Sequence, residues 1–300
     1  MIHLDESNRK KNLIYNKLLY KELSIVLNNI DFDYVIIKGE PLSYYAYGQY
    51  GMRYSTDIDI LVDRSNVDKL NTLLKANGFI CKSLQRIDKV TLFMYTHQYV
   101  PWYKKLDNGI EILIDVNFDI FWGEYTGKRT SINNFIRNNK ELNIYGIKIK
   151  TLSIQTTFIQ LVLHHYKEIN SIYIMSIQNS IRFDILMDIY MLLKNNIKKL
   201  TVDVIYDISN KYFITLYAYY ILYYTNILYP DPELSAYVNA LYSKEGAELL
   251  ECYGLSKEER RHWNCSFIER KNNTKLFDLI KSELNHKDFE KIEQNKYIFN

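Results

Sequence analysis

The stretch from Arg53 to Val62, RYSTDIDILV, sets two carboxylates, Asp57 and Asp59, at the entrance of an apolar run. On a strand, residues i and i+2 point to the same side, so the pair would stand together while Ile58, Ile60 and Val62 pack the opposite face. Neighbouring carboxylates repel, and each makes the other harder to ionise. A divalent cation removes that cost, and Mg²⁺ held by one or two carboxylates plus substrate phosphates is the common arrangement. Two such ions about 3.5–4 Å apart clamp the attacking and leaving oxygens of a phosphoryl or nucleotidyl transfer. A bare Asp-x-Asp also occurs at solvated strand ends, so its surroundings must distinguish the two cases.

Upstream, IIKGEPLSYYAYGQYGMR reads as a strand end, Lys38-Gly39, the start of a helix and then Arg53. Exposed amides at a helix N-terminus together with two cations are what a triphosphate uses. Downstream, IEILIDVNF is a strand able to bring a third carboxylate beside the first two. Glu111 and Asp115 share one face of it, and Asp119 follows.

The elements that must hold these residues follow from periodicity. Between Glu6 and Asn29, Tyr15, Leu18, Leu19, Leu23, Val26 and Leu27 recur at helical spacing, which predicts an amphipathic helix. DYVIIKG predicts a short strand stopped by Gly39, and EPLSYYAYG a helix with Pro41 in its first turn and Gly48 at its end. DIDILV predicts a second strand, followed by a helix over RSNVDKLNTLLKANGF that Asn77-Gly78 closes. VTLFMYTHQYV and IEILIDVNF predict a hairpin, with PWYKKLDNG as its connection. From about Thr151 the period becomes helical to the end, predicting one domain over residues 1–150 and a helical one over 151–300.

At KG…R…DIDILV the sequence resembles the DNA polymerase β-like nucleotidyltransferase superfamily, and within it a bacterial branch of largely uncharacterised members. The likeness is best from Tyr34 to Asn117 and faint in LVLHHYKE and IRFDILMDIY. It implies an α/β fold of the α+β kind: a mixed sheet flanked by helices, then an all-helical C-terminal domain. It also implies transfer of a nucleoside monophosphate from an NTP to a hydroxyl, with release of pyrophosphate. Asp57 and Asp59 match the metal-binding pair, and Gly39 the glycine before the phosphate-binding helix. Two Mg²⁺ ions are implied as cofactors, with Lys38 and Arg53 on the nucleotide. Asp115, in Asp115-Val116-Asn117, best fits the D-x-[HN] segment and would bind metal and help deprotonate the acceptor. Glu111 and, more weakly, Asp119 are its rivals. Relatives often carry Gly-Ser or Gly-Gly where this chain has Gly39-Glu40, so a serine hydroxyl is missing there and Lys38 is its substitute.

Composition narrows the partners. Lys plus Arg at 38 against Asp plus Glu at 35 leaves a net charge of +3, too little for an extended polynucleotide site, so the expected acceptor is a small molecule or a protein. Cys81, Cys252 and Cys265 have no metal-ligand spacing and read as reduced thiols. The charged N-terminal stretch lacks a secretory pattern, predicting a cytoplasmic protein. Tyr212 to Tyr229 is uncharged but tyrosine-dominated, which predicts a buried helix rather than a membrane span. His165, Arg182, Asp184 and Asp188 fall on predicted helices, as interhelical hydrogen bonds or as contacts to a base or acceptor. Phe121 and Trp122 read as core, and SKEERRHW as a solvated helix face. The competing readings are an inactive nucleotide-binding scaffold and an RNA-modifying nucleotidyltransferase toxin.

Overall fold

The computed structural model describes residues 6–53, 55–81, 92–93, 96–120 and 131–299. Phe121 and Trp122, and parts of VTLFMYTHQYV, lie outside them. The chain forms two compact units, one built from the segment up to Ile120 with 131–157 and 191–197, the other from 158–190 and 198–300.

The first unit is a mixed α/β layer structure around a seven-stranded sheet. Its first elements are helix α1 (Glu6–Leu27), strand β1 (Tyr34–Ile37), helix α2 (Gly39–Tyr47), strand β2 (Asp57–Val62), helix α3 (Val67–Ala76) and strand β3 (Ile80–Cys81). Strands β4 (Trp102–Lys105), β5 (Glu111–Asn117), β6 (Lys140–Ile144) and β7 (Ile147–Thr151) complete the sheet in the order β3-β4-β5-β2-β1-β7-β6. β2 is the middle strand, antiparallel to β1 and parallel to β5. A parallel neighbour requires a crossover, which α3 begins. As expected of a central strand, β2 is covered on both faces: Ile58, Ile60 and Val62 on one, Leu61 and Asp59 on the other. Asp59 therefore does not sit at a solvated strand end.

Two sequence expectations shift in this unit, and in the second unit SKEERRHW, expected as a solvated helix face, is a turn and a strand with Trp263 buried. The strand paired with β5 is Trp102–Lys105, which lies in the stretch expected to connect the hairpin, and an isolated Gln98–Asn117 bridge precedes it. The turn chemistry decides this. Gly109 takes φ +83° and Leu106 N–H donates to Ile110 O at 2.8 Å, so the residues just outside this short loop must pair. On α1 the buried face holds Asn12 and Asn16 in line with Leu19, Leu23 and Val26, while Tyr15 and Leu18 are half-exposed. Two asparagines in a buried stripe need hydrogen-bond partners, and both have them.

The second unit is helical apart from a two-stranded ribbon, Cys252–Tyr253 against Arg261–His262. Five of its helices start where side chains satisfy their first amides: Ser171, Thr201, Asp231 before Pro232, Ser243, and Ser266 in a capping box with Glu269. The tyrosine-rich segment forms the helix Thr215–Leu228, with Tyr217, Tyr219, Tyr220 and Tyr224 buried. Among the described residues no helix is long and apolar enough to cross a membrane. Buried Arg270 donates to Tyr224 Oη at 2.8 Å and lies 5.0 Å from the Trp263 ring, so aromatic faces surround its charge.

Candidate active site

The register of β2 on β5 assembles the acidic residues. Asp57 faces Leu113, Asp59 faces Asp115 and Leu61 faces Asn117, so Asp57, Asp59, Asp115 and Asn117 share one face of two adjacent strands. Antiparallel pairing then sets Ile37 of β1 against Asp59, which delivers the next residue, Lys38, to the same place.

Lys38 departs sharply from ordinary backbone geometry. It caps α2 at φ 59°, ψ −142°, a region that almost only glycine occupies, and Gly39 follows at φ +43°. That turn brings Lys38 Nζ to 3.0 Å from Asp59 Oδ1. Asn117 Nδ2 donates to the same oxygen at 3.1 Å. Burial works against the Lys38 charge, but Asp59, Asp57 and Asp115 outweigh it and hold the ammonium above its ordinary value. At Asp57, burial followed by the Asp59 charge pushes the carboxyl up, and Lys38 and Arg53 only partly reverse this. Burial thus disfavours the Asp57 charge more than Lys38 and Arg53 favour it.

α2 starts at this point, so its first amides and Lys38 face one region. A Cβ on Gly39 would lie 3.6 Å from Ser55 Oγ, whose hydroxyl donates to Asp57 O at 2.9 Å. Glu40 is buried, and its carboxylate accepts from Asn16 and from the Gly51 amide.

The rivals for the third acid stand elsewhere. Glu111 is exposed at the start of β5, opposite Lys105. Asp119 is buried 3.6 Å from Arg64 and accepts from the Ile120 amide. Asp115 alone of the three is in register with Asp59. His165, Arg182 and Asp184 belong to the second unit: His165 is buried beside His164, and Arg182 pairs with Asp184 at 2.9 Å on the surface.

Among the described residues no group of three or more His, Cys, Asp and Glu side chains is gathered closely enough to hold a metal ion. The donor chemistry still fits Mg²⁺, which takes hard oxygen ligands and commonly needs only one or two carboxylates when phosphates supply the rest. Sequence reasoning reaches Asn117 only as part of a segment and gives Asn12, Asn16 and Glu40 no role. An asparagine pair four apart on an apolar helical stripe is the signal that points to the last three.

No curated protein matches the chain. Among solved structures, a putative nucleotidyltransferase from Thermotoga maritima is 18% identical, with 53% of this chain and 85% of that one covered at a TM-score of 0.34. An antigenic nucleotidyltransferase-like protein from Paracoccidioides brasiliensis is 16% identical, with 77% and 93% covered at a TM-score of 0.39. The model of the family described as uncharacterised nucleotidyltransferase matches residues 4–230, well over half the chain, and the protein belongs to that family.

Proposed function

We propose that the protein is a Mg²⁺-dependent nucleotidyltransferase that moves a nucleoside monophosphate from an NTP to a hydroxyl of a small molecule or protein. The observation that carries this is Asp57 and Asp59 on one face of β2 with Asp115 in register beside Asp59, and Lys38, at the α2 N-terminus, paired with Asp59. Asp57 and Asp59, joined by Asp115, are the residues that would hold Mg²⁺. When bound, the ion neutralises phosphate charge and polarises the reacting oxygens.

The chain's own groups do the rest. Lys38, Arg53 and the first amides of α2 bind and orient the triphosphate. The acceptor oxygen attacks the α-phosphorus, the bond from that phosphorus to the bridging oxygen breaks, and pyrophosphate leaves with the electron pair. Asp115 takes the hydroxyl proton. Asn117 fixes the Asp59 carboxylate through its hydrogen bond, so that Asp57 and Asp59 keep a common aim.

The test is incubation with each α-labelled NTP and a cell extract, with the labelled product identified by mass and pyrophosphate measured alongside. A product that requires Mg²⁺ and is lost in Asp59→Asn supports the reading. Binding of Mg²⁺-NTP without product from any extract favours the inactive scaffold, and label in RNA favours the toxin reading.

A further inference from the structure

The loop from Gly48 to Arg53, which carries Arg53, is held by side chains of α1 and α2, with a further tie from Tyr50 Oη, which donates to Asn143 O on β6 at 2.9 Å. Glu40, only 1% exposed, accepts from Asn16 Nδ2 on one carboxylate oxygen and from the Gly51 amide at 2.9 Å on the other. Asn12 Nδ2 donates to Gly51 O at 3.0 Å and also to Arg53 O. Ser43 Oγ donates to Gln49 O at 2.8 Å and accepts from the Met52 amide at 3.0 Å. Arg9 donates to the Gln49 side chain at 2.7 Å. Gly51, at φ +75°, passes so close to α1 that a Cβ would lie 2.6 Å from Leu13.

We propose that Glu40 is a positioning residue of the nucleotide site: its buried carboxylate, braced by Asn16 and Asn12, fixes this loop so that Arg53 is presented to the triphosphate. This rests on the nucleotidyltransferase reading above. The type of residue is informative. Holding a loop needs only neutral acceptors, and a buried carboxylate is an expensive one. Burial pushes the Glu40 carboxyl above its usual range, and the Gly51 amide, Tyr145, Asn16 and the Arg53 charge pull it back in part. Arg53 also acts on Asp57, so one guanidinium answers both to the brace and to the carboxylate pair. Glu40, through the Gly51 amide and the asparagines beside it, therefore sets where the Arg53 backbone runs. Both carboxylate oxygens face donors, and a glutamine can supply only one acceptor oxygen to them.

The experiment compares wild type, Glu40→Gln, Asn12→Ser, Arg53→Lys and the Glu40→Gln/Arg53→Lys double variant. In ligand-free protein, amide exchange over Gln49–Arg53 is expected to quicken about tenfold or more in Glu40→Gln and Asn12→Ser, as it does when a local brace opens. Binding of Mg²⁺ with ATP, GTP, CTP or UTP, and of inorganic tripolyphosphate, is expected to weaken about tenfold in each single variant. The double variant should be no weaker than Arg53→Lys alone, because residues acting through one another are not additive. Affinity for the phosphate-free nucleoside should not change. Unchanged exchange in both brace variants overturns the brace. A melting point that falls while Mg²⁺-NTP affinity holds, or an additive double variant, overturns the positioning role. A wild-type protein that binds no Mg²⁺-NTP overturns the nucleotidyltransferase reading itself, while the exchange result still decides whether the brace exists.

Discussion

Asp57 and Asp59 stand two residues apart, yet their surroundings make them unequal. Asp59 has a partly buried cation and a buried amide on the same oxygen, whereas burial and its neighbour's charge hold Asp57 above its ordinary pKa. Both Asp57→Asn and Asp59→Asn are expected to abolish transfer, measured as pyrophosphate release. Their effects on the ligand-free protein should differ in sign. In metal-free buffer near neutral pH, Asp57→Asn should melt at the same temperature or higher, since an ionised carboxylate is removed from a site that resists its charge. Because the folded-state pKa is raised, the native wild type binds its proton more tightly than the unfolded chain does. On acidification wild-type Asp57 takes up that proton, and the advantage of the Asp57→Asn variant over the wild type should shrink. Asp59→Asn removes the counter-charge of a partly buried lysine and should cost about 1–3 kcal/mol in the same melts.

At the scale of elements, the entrance to α2 stores backbone strain. A lysine at φ 59°, ψ −142° costs about 1–3 kcal/mol relative to a residue without a Cβ. Lys38→Gly should therefore be more stable than Lys38→Ala by about 1 kcal/mol or more, in denaturant melts of two variants that both lack the ammonium. Gly51→Ala should lose more than about 1 kcal/mol, since it adds a strained φ to a clash with Leu13. These elements also show what can be read in advance. β1, α2, β2 and α3 are legible because each carries its own period and stop signal within about ten residues. β4 is not, because Trp-Tyr-Lys-Lys looks like a polar connection. Its strand character comes from position, with Trp102 against Ile114 and Lys104 reaching Glu22 at 2.8 Å. Asp115 is legible as the end of an apolar run. The role of Glu40 is not, because Asn12 and Asn16 lie a helix and a strand away in the chain.

For the molecule as a whole, two cations of the sheet unit are already engaged among the described residues. Lys38 pairs with Asp59, and Arg64 lies by Asp119 and over the Phe118 ring. With a net charge of only +3, little remains to follow a polynucleotide backbone. Binding to single- or double-stranded RNA or DNA should be weak at about 50 mM salt and change little by about 200 mM; submicromolar affinity that falls steeply with salt would contradict this. Mg²⁺ alone and NTP alone should each shift the melting temperature little, and both together appreciably, since each completes the other's ligands.

The parallel pairing of β2 with β5 also sets the order of events during folding. The Asp57-Ile58-Asp59 motif is made early in synthesis, but Asp115 and Asn117 can pair beside it only after α3, β3 and β4 have been made. Contacts this distant in sequence slow the folding of a chain that depends on them. A chain interrupted before Glu111 therefore carries the motif without its partners, and activity should appear only with completion of the sheet.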